Sequence, residues 1–431
     1  MPTSARIERP LTIVVEGVGD VIKNYYDPAF KAVIGRLGGK RKFDVTFIDK
    51  SEYWRHDRNA VNKMNGIIHS IQSWGGKYLD KSDTADQRRY KALEPDFVII
   101  ATPDFTHVEV AGDWLDRRVR PAQIFIEKPL TDSLNGARFL LGKAGPDNDA
   151  ILAFDHYRAR LLPSEEQLEI MLDFLGRGLR RLTFYFLEDH SGADEAYISA
   201  HPEAVNNGPI ENEQRVKTLS QGLILDGMPH VIAILAHFCR VETLLVTRVR
   251  AGQYVGVGNN PEKRTGIKKE TFAEVGFRCS DHGEHPVEGT VYIGKGLRGV
   301  KALGPTFDHN TKVFDIEGVS GKTVRFDLRS SGEGSSQAHF LDKQGRKVLQ
   351  FDLNRKPYET FLEKLAMGDY LEQRLALNIE VGKRILEVLD DMRYPIPMKS
   401  QIPTYPSGMK GKRPSLYLES VVKSLPLLYG R

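Results

Sequence analysis

The stretch Leu11-Thr12-Ile13-Val14-Val15-Glu16-Gly17-Val18-Gly19-Asp20 is the part of the sequence that indicates the fold. Its first half is a continuous apolar run, as expected for a strand buried on both faces of a parallel sheet. The glycines that follow predict a tight turn, where a pyrophosphate can approach the backbone at the start of a helix. By itself this turn does not specify a nucleotide site, because glycine pairs also form plain turns and Ile22 stands where a third glycine is expected.

Further apolar runs alternate with helix-like stretches in the first part of the chain. Strand-like runs at 43–48 and 97–101 end at Asp49 and at Thr102-Pro103, and helix-like stretches occupy 28–37 and 107–117. Continuous apolar strands that alternate with helices predict a parallel sheet covered on both faces. We therefore expect an α/β fold whose residues 1–150 form a doubly wound Rossmann domain that binds a dinucleotide.

Asp49 favours the nucleotide interpretation. A carboxylate that ends the second strand can hydrogen-bond a ribose diol, although a helix cap or a loop acid is an equal alternative for this residue in isolation. Lys50 follows directly and can tolerate a 2′-phosphate. We therefore expect NAD as the cofactor and leave NADP open.

Polar side chains follow two more apolar runs. The run 123–126 leads into Glu127-Lys128-Pro129, and the run 151–154 leads into Asp155-His156-Tyr157. In an open α/β sheet, ligands bind outside the carboxyl ends of the strands. A lysine, an aspartate and a histidine at that edge are the residue types that transfer protons and bind anions.

Residues 151–431 show a different pattern, in which strands follow strands. Strand-like segments occupy 182–187, 243–249, 271–278, 289–293, 313–316 and 323–328, and helix-like segments occupy 163–175, 219–238, 358–365 and 375–391. This order predicts a C-terminal substrate-binding α+β domain with a large, mostly antiparallel sheet and an oligomer interface. The polar stretch 189–215 is long enough for a lid or a subunit arm.

Asp226 and His230 are four residues apart, so a continuous helix would place them on one face. Pro229 lies between them and either kinks the helix or marks its first turn. For such a pair in isolation, a buried histidine bonded to an aspartate is the structural alternative to a catalytic pair.

Composition limits the classes of function. A length of 431 residues favours two domains, and 61 Lys and Arg against 57 Asp and Glu give no strong field for nucleic acid. Cys239 and Cys279 lack metal-ligand spacing, so we expect reduced thiols in a cytoplasmic protein and no metal. Neither a membrane span nor a signal peptide is expected, because no apolar run is long enough.

Several segments resemble the glucose-6-phosphate dehydrogenases. The resemblance covers nearly the whole chain and is carried by the segments Gly19-Asp20-Val21-Ile22-Lys23, Glu127-Lys128-Pro129-Leu130, Asp155-His156-Tyr157, Gly252-Gln253-Tyr254, Thr271-Phe272-Ala273 and Gly294-Lys295-Gly296-Leu297. They are similar, in that order, to the family's Gly-Asp-Leu-Ala-Lys, Glu-Lys-Pro-Phe, Asp-His-Tyr, Gly-Gln-Tyr, Thr-Phe-Ala and Gly-Lys-Ala-Leu. Glu188 falls where that family has a sugar-binding glutamate.

The chain also departs from that family. Glu16 stands at the family's first glycine, and Arg158-Ala159-Arg160 replaces Leu-Gly-Lys. The spacing of Asp226 and His230, and the segment Ala101-Thr102-Pro103, resemble the broader superfamily of glucose-fructose and inositol dehydrogenases (Gfo/Idh/MocA). The chain is therefore identified as a divergent member between the two groups.

The resemblance implies hydride transfer to a nicotinamide cofactor, in first place from C1 of glucose 6-phosphate, giving the lactone. His230 would be the general base, Asp155 would orient it and Lys128 would stabilise the developing oxyanion. The substrate-binding residues would be His156, Tyr157, Arg160, Glu188, Asp226 and Lys295. The cofactor-binding residues would be Gly17, Gly19, Asp20, Val21, Asp49, Lys50, Thr102, Pro103, Glu127 and Lys128.

Three alternative functions stay open. The first is an NAD-dependent dehydrogenase of an unphosphorylated sugar, an amino sugar or a cyclitol. The second is a redox-neutral glycosidase or epimerase that keeps NAD bound, and the third is a non-catalytic homologue that acts as a binding protein. In the enzyme interpretations we expect a small-molecule sugar as partner and a homodimer or homotetramer.

Overall fold

The computed structural model describes residues 9–37, 43–128, 130–131, 134–145, 150–161, 165–188, 223–252, 272–295, 310–328, 336–354, 356–367, 376–378 and 387. Pro129, the stretch 189–215 and the segments 253–271 and 296–309 lie outside the described residues. The chain divides into two compact units, Met1–Leu162 with Lys356–Leu386, and Pro163–Arg355 with Glu387–Arg431. The division thus falls after Leu162 instead of at residue 150, and a later segment returns to the first unit.

The first unit contains a parallel sheet. Its parallel strands are β1 (Leu11–Glu16), β2 (Phe43–Asp49), β3 (Lys77–Asp80), β4 (Phe97–Ile100), β5 (Gln123–Glu127) and β6 (Ile151–Phe154). Their order is β6-β5-β4-β1-β2-β3, and the order reverses direction beside β1. This arrangement confirms the doubly wound Rossmann fold that the alternating pattern predicts.

Helices follow most of these strands. They are α1 (Asp27–Leu37), α2 (Arg58–Ser73), α3 (Thr84–Lys91), α4 (His107–Leu115), α5 (Leu134–Ala144) and α6 (His156–Arg160). Asp57 and Asp83 cap α2 and α3 by accepting hydrogen bonds from backbone amides of the first turn. A π-helical turn, Ile22–Tyr26, leads directly into α1.

The second unit contains helices α7 (Glu165–Leu175) and α8 (Leu223–Leu235) and an eight-stranded sheet. Its strands are β7 (Leu179–Glu188), β8 (Cys239–Gly252), β9 (Phe272–Asp281), β10 (Pro286–Lys295), β11 (Asn310–Gly318), β12 (Thr323–Asp327), β13 (Gln337–Leu341) and β14 (Lys347–Asp352). The order is β14-β13-β12-β11-β7-β10-β9-β8, and only the β7–β10 pair is parallel among these described strands. The expected large, mostly antiparallel sheet is confirmed.

The returning segment adds α9 (Pro357–Met367) and β15 (Ala376–Asn378) to the first unit. The expectation of a helix over 375–391 is wrong at its start, because Ala376–Asn378 pairs antiparallel with β6. An edge strand leaves a row of backbone groups unpaired, and β15 satisfies those of β6. Of the remaining residues in that segment, the structure describes only residue 387. Every described helix is too short or too polar to cross a bilayer.

Candidate functional site

The turn after β1 requires glycine at position 17. Gly17 has a φ of +92°, and a Cβ there would lie 2.8 Å from the carbonyl oxygen of Ala101 and 2.9 Å from the amide nitrogen of Thr102. The amide of Gly17 also donates to the carbonyl of Ile48 at 2.8 Å. The turn is therefore held between the ends of β2 and β4 and opens onto a helix N-terminus, the geometry that receives a pyrophosphate.

Asp49 lies at the end of β2, where the sequence predicts a ribose contact. Its carboxylate accepts a hydrogen bond from the amide of Lys50 at 2.8 Å and another from Val18. Burial raises the pKa of Asp49 to about 7, the two backbone hydrogen bonds oppose this shift, and the carboxylates of Glu16 and Asp80 add to it. The edge beside β2 is thus acidic, which disfavours a 2′-phosphate.

Glu16 stands where the resembling family has a glycine, and its carboxylate is buried. Its Oε2 lies 2.9 Å from Nζ of Lys81, and its Oε1 accepts a hydrogen bond from the indole of Trp114 at 2.8 Å. Lys81 follows β3, and Trp114 belongs to α4. Sequence reasoning missed this network because its members are 65 and 98 positions from Glu16 and no local pattern joins them.

The other residues expected to bind the cofactor lie along the same edge. Thr102 and Pro103 follow β4, and Nε2 of His107 lies 2.7 Å from the carbonyl oxygen of Thr102, to which the ring nitrogen donates. Val21 lies directly before the π-helical turn, and Asp20 pairs with Lys63 at 2.7 Å on the surface. The sheet therefore gathers these residues at its carboxyl edge.

Glu127 ends β5, and its side chain is buried below that edge. Its Oε1 accepts a hydrogen bond from the hydroxyl of Tyr26 at 2.8 Å, and the hydroxyl of Tyr358 in α9 bonds it too. Burial raises the pKa of Glu127 to about 7; the two tyrosines and Lys128 lower it, and Asp155 raises it. Lys128, which follows Glu127 directly, is half-buried.

Asp155 caps α6 and is 2% exposed. Its Oδ1 accepts a hydrogen bond from the amide of Arg158 at 2.9 Å. Burial lowers the pKa of Arg158 to about 10, and the neighbouring Asp155 opposes this shift. Asp155 is therefore a buried acid with an arginine beside it, as one structural interpretation of Arg158 predicts.

The structure places His156, Tyr157 and Arg160, the residues expected to bind a 6-phosphate, together on α6. Tyr157 and Arg160 are 5% and 6% exposed, and the guanidinium lies 5.6 Å from the tyrosine ring. The ring of His156 lies 4.0 Å from that of Tyr157 and 6.0 Å from that of Tyr358. The trio is thus largely packed inside the first unit.

In the second unit, α8 contains both Asp226 and His230 and continues through Pro229. His230 is 4% exposed, and its ring stacks on Phe186 of β7 with centroids 5.5 Å apart. Nζ of Lys312, on β11, lies 4.9 Å from the centroid of the same phenylalanine. Lys312 is 7% exposed, and sequence reasoning missed it because only the strand pairing brings it to Phe186.

The strand register of the second unit aligns two residues expected to bind substrate. Glu188, the last residue of β7, lies opposite Lys295 of β10 and opposite Asn310 of β11. This row is two residues beyond Phe186 along β7. Asn310 is a further polar residue of this row that the sequence did not single out.

Comparison with known proteins bears most directly on the first unit. Residues 59–149 match the model of the GFO_IDH_MocA family, described as an oxidoreductase family with an NAD-binding Rossmann fold. These residues lie in the first unit, whose parallel sheet has the Rossmann fold that this description names. None of the curated proteins matches the chain.

Solved structures share the fold of the chain. Glucose-6-phosphate dehydrogenase in complex with glucose-6-phosphate is 14% identical, with 97% of this chain and 99% of that chain covered and a TM-score of 0.58. KijD10, a 3-ketoreductase from Actinomadura kijaniata in complex with NADP and TDP-benzene, is 14% identical over 89% and 97% of the two chains, with a TM-score of 0.57. A myo-inositol dehydrogenase from Corynebacterium glutamicum is 12% identical over 89% and 96%, with a TM-score of 0.55.

Proposed function

We propose that the protein is an NAD(P)-dependent sugar dehydrogenase. The observation that carries this proposal is the carboxyl edge of the Rossmann sheet, where the tight turn at Gly17, the acidic end of β2 at Asp49 and the Glu127-Lys128 pair occur together. The Gly17 turn fits a dinucleotide, because its missing Cβ leaves the backbone open to a pyrophosphate. When bound, the nicotinamide accepts the hydride.

His230 is the proposed general base, and two features of the second unit support this role. The buried ring is fixed against Phe186, so it cannot rotate freely away from one orientation. An imidazole has an ordinary pKa of about 6.5, which suits proton abstraction from a sugar hydroxyl near neutral pH. Asp155 is proposed to orient this base, and Lys128 to stabilise negative charge on the reacting oxygen.

NAD is the proposed preferred cofactor. Asp49, which ends β2, is the proposed partner of the ribose diol, and Glu16 and Asp80 add negative charge around it. A 2′-phosphate at this edge would meet acidic groups, whereas a diol would find a hydrogen-bond acceptor. Lys50, which follows Asp49, is the residue that would support NADP.

Glucose 6-phosphate is the first proposed substrate, with Glu188, Asp226 and Lys295 binding the sugar. The register of Glu188 and Lys295 on adjacent strands supports a common site for these two residues. A second candidate, an unphosphorylated sugar or cyclitol, is favoured by α6, where Tyr157 and Arg160 expose only 5% and 6% of their surface. Both candidates use the same hydride chemistry, and they differ in whether the sugar carries a phosphate away from the reacting carbon.

Steady-state assays with NAD and NADP test this proposal. The substrates to test are glucose 6-phosphate, glucose and myo-inositol. The readout is the absorbance of the reduced cofactor. Reduction with any of them supports a dehydrogenase, and a clear preference for the phosphorylated sugar supports the anion site. Tight dinucleotide binding without net reduction would favour a redox-neutral enzyme, and no binding of either dinucleotide would contradict the proposal.

We also propose that the protein is a cytoplasmic homodimer or homotetramer whose partners are small molecules. Exposed apolar side chains on the sheet of the second unit, namely Leu245 on β8 and Val348 and Leu349 on β14, support a contact with a second copy. Sedimentation velocity of the full chain tests the oligomeric state, and a concentration-independent monomer would contradict it.

A further inference from the structure

Glu127 was expected to bind the cofactor, but its surroundings indicate another task. The side chain is 8% exposed, and the hydroxyls of Tyr26 and Tyr358 both hydrogen-bond its carboxylate. Burial raises the pKa of each tyrosine well above its ordinary value, so both hydroxyls stay protonated and donate at any working pH. In this triad, the carboxylate is the member that can change charge.

Tyr358 reaches Glu127 because α9 is anchored by aromatic packing. Phe361, one turn along α9, packs edge-on against Phe125 with centroids 4.9 Å apart. The ring of Tyr358 meets Tyr26 edge-on at 4.8 Å and stacks on Tyr25 at 5.0 Å. A ring fixed on two sides holds its hydroxyl in one place, so the second donor to Glu127 is part of a rigid assembly.

Charged groups from two neighbouring positions face this carboxylate. Lys128, the next residue, favours the ionised form of Glu127, and Asp155, after β6, disfavours it. Lys128 follows Glu127 directly in the chain, and Asp155 follows Phe154, the residue that pairs with Glu127 across β5 and β6. The charge of Glu127 therefore acts at short range on both positions. The state of Glu127 therefore acts on both residues that the first unit contributes to the proposed chemistry.

We propose that Glu127 is a positioning residue that, held by Tyr26 and Tyr358, supplies a fixed negative charge that orients Lys128 and acts on the neighbouring Asp155. This inference rests on the proposed function, because it assigns a purpose only if those two residues act on a substrate. With Glu127 ionised, Lys128 keeps a fixed counter-charge next to its backbone; with Glu127 protonated, that counter-charge is lost. Activity should therefore fall as Glu127 gains a proton.

The first test needs no substrate. The titration of Glu127 can be followed by NMR in protein labelled with ¹³C at the glutamate carboxyl. The Glu127 signal is the one that disappears in Glu127→Gln. The midpoint of its titration should lie close to neutral pH. Lys128→Met should raise the midpoint and Asp155→Asn should lower it, because each removes one of the opposing charges. A Glu127 signal that titrates below about pH 5, as an ordinary glutamate does, would overturn the proposal, and so would a midpoint that neither variant moves.

The tyrosine donors provide a matched comparison. Tyr358→Phe removes one hydrogen bond to a charged group, which raises the midpoint by about one pH unit. Tyr90→Phe removes a buried hydroxyl elsewhere in the first unit, among Trp114 and Arg117, and should leave the midpoint in place. Equal midpoints in wild type and Tyr358→Phe, with both folded by circular dichroism, would contradict the role of Tyr358.

The second test uses activity. The wild-type kcat should fall on the acid side of neutral pH in two overlapping steps, one from the proposed base His230 and one from Glu127. Glu127→Gln should keep the low kcat of the protonated state and retain only the His230 step, and Tyr358→Phe should move the Glu127 step upward. The affinity for NAD should change less than about threefold, because the carboxylate acts through its neighbours. An unchanged acid limb of the kcat profile in Glu127→Gln would overturn the inference. Failure of the proposed function would look different: no sugar would be turned over, but the carboxyl titration of Glu127 would stay as described.

Discussion

Gly17→Ala offers a direct test of the dinucleotide turn. The new methyl group would lie 2.8 Å from the carbonyl oxygen of Ala101 and 2.9 Å from the amide nitrogen of Thr102, both backbone atoms that cannot rotate away. The left-handed φ of +92° adds about 1–2 kcal/mol of strain for a residue with a Cβ. Overpacking of this kind contributes roughly another 1–3 kcal/mol. We expect the free energy of unfolding to fall by about 2–5 kcal/mol.

The same substitution should weaken cofactor binding. The turn must move away from the end of β4, so the amides that would receive the pyrophosphate lose their positions. If about 1.4–2.8 kcal/mol of this strain is lost from the free energy of NAD binding, the Kd for NAD rises by about 10- to 100-fold. Isothermal titration calorimetry measures this Kd, and urea unfolding measures the stability of the same samples.

Two other glycines give matched controls for Gly17→Ala. A Cβ at Gly19 meets no atom within 4 Å, so Gly19→Ala should leave stability close to that of the wild type. Gly35 is exposed in α1 with equally open space, and Gly35→Ala should raise stability by up to about 1 kcal/mol without changing the Kd for NAD. The steric reasoning would be refuted if Gly17→Ala stayed within about 0.5 kcal/mol of wild type.

Three further predictions concern the proposed chemistry. His230→Ala should lower kcat by about 10²–10⁴-fold with little change in NAD affinity. His69 is exposed, and His69→Ala should leave kcat unchanged. If His230→Ala keeps more than about a third of wild-type turnover, the assignment of His230 as the base is wrong. The preference for NAD over NADP should grow as pH rises through about 7, since Asp49 ionises there, and this pH dependence should be absent in Asp49→Asn. Arg160→Ala should lower kcat/KM for glucose 6-phosphate by at least about tenfold and leave glucose unaffected; equal loss on both sugars would mean that the buried Arg160 supports the fold instead of a phosphate.

The sequence by itself determined the doubly wound, parallel class of the first unit's sheet and the location of its polar edge. Apolar runs such as 97–100 are buried on both faces, and their composition alone indicates this. The glycine at position 17 is likewise readable, because no other residue adopts its backbone conformation at small cost. Such features depend on neighbours along the chain, which is why a local pattern predicts them.

Only the tertiary structure decided how distant residues combine. The expectation of a helix at 375–391 failed at Ala376–Asn378, because the open edge of β6 accepts a strand there. Lys81 neutralises Glu16 from 65 positions away, and Tyr358 reaches Glu127 through a segment that returns after the whole second sheet. Strand pairing and side-chain hydrogen bonds act through space between residues that no periodicity connects, so the charge of Glu127 and the register of Glu188 with Lys295 and Asn310 could be found only in the folded chain.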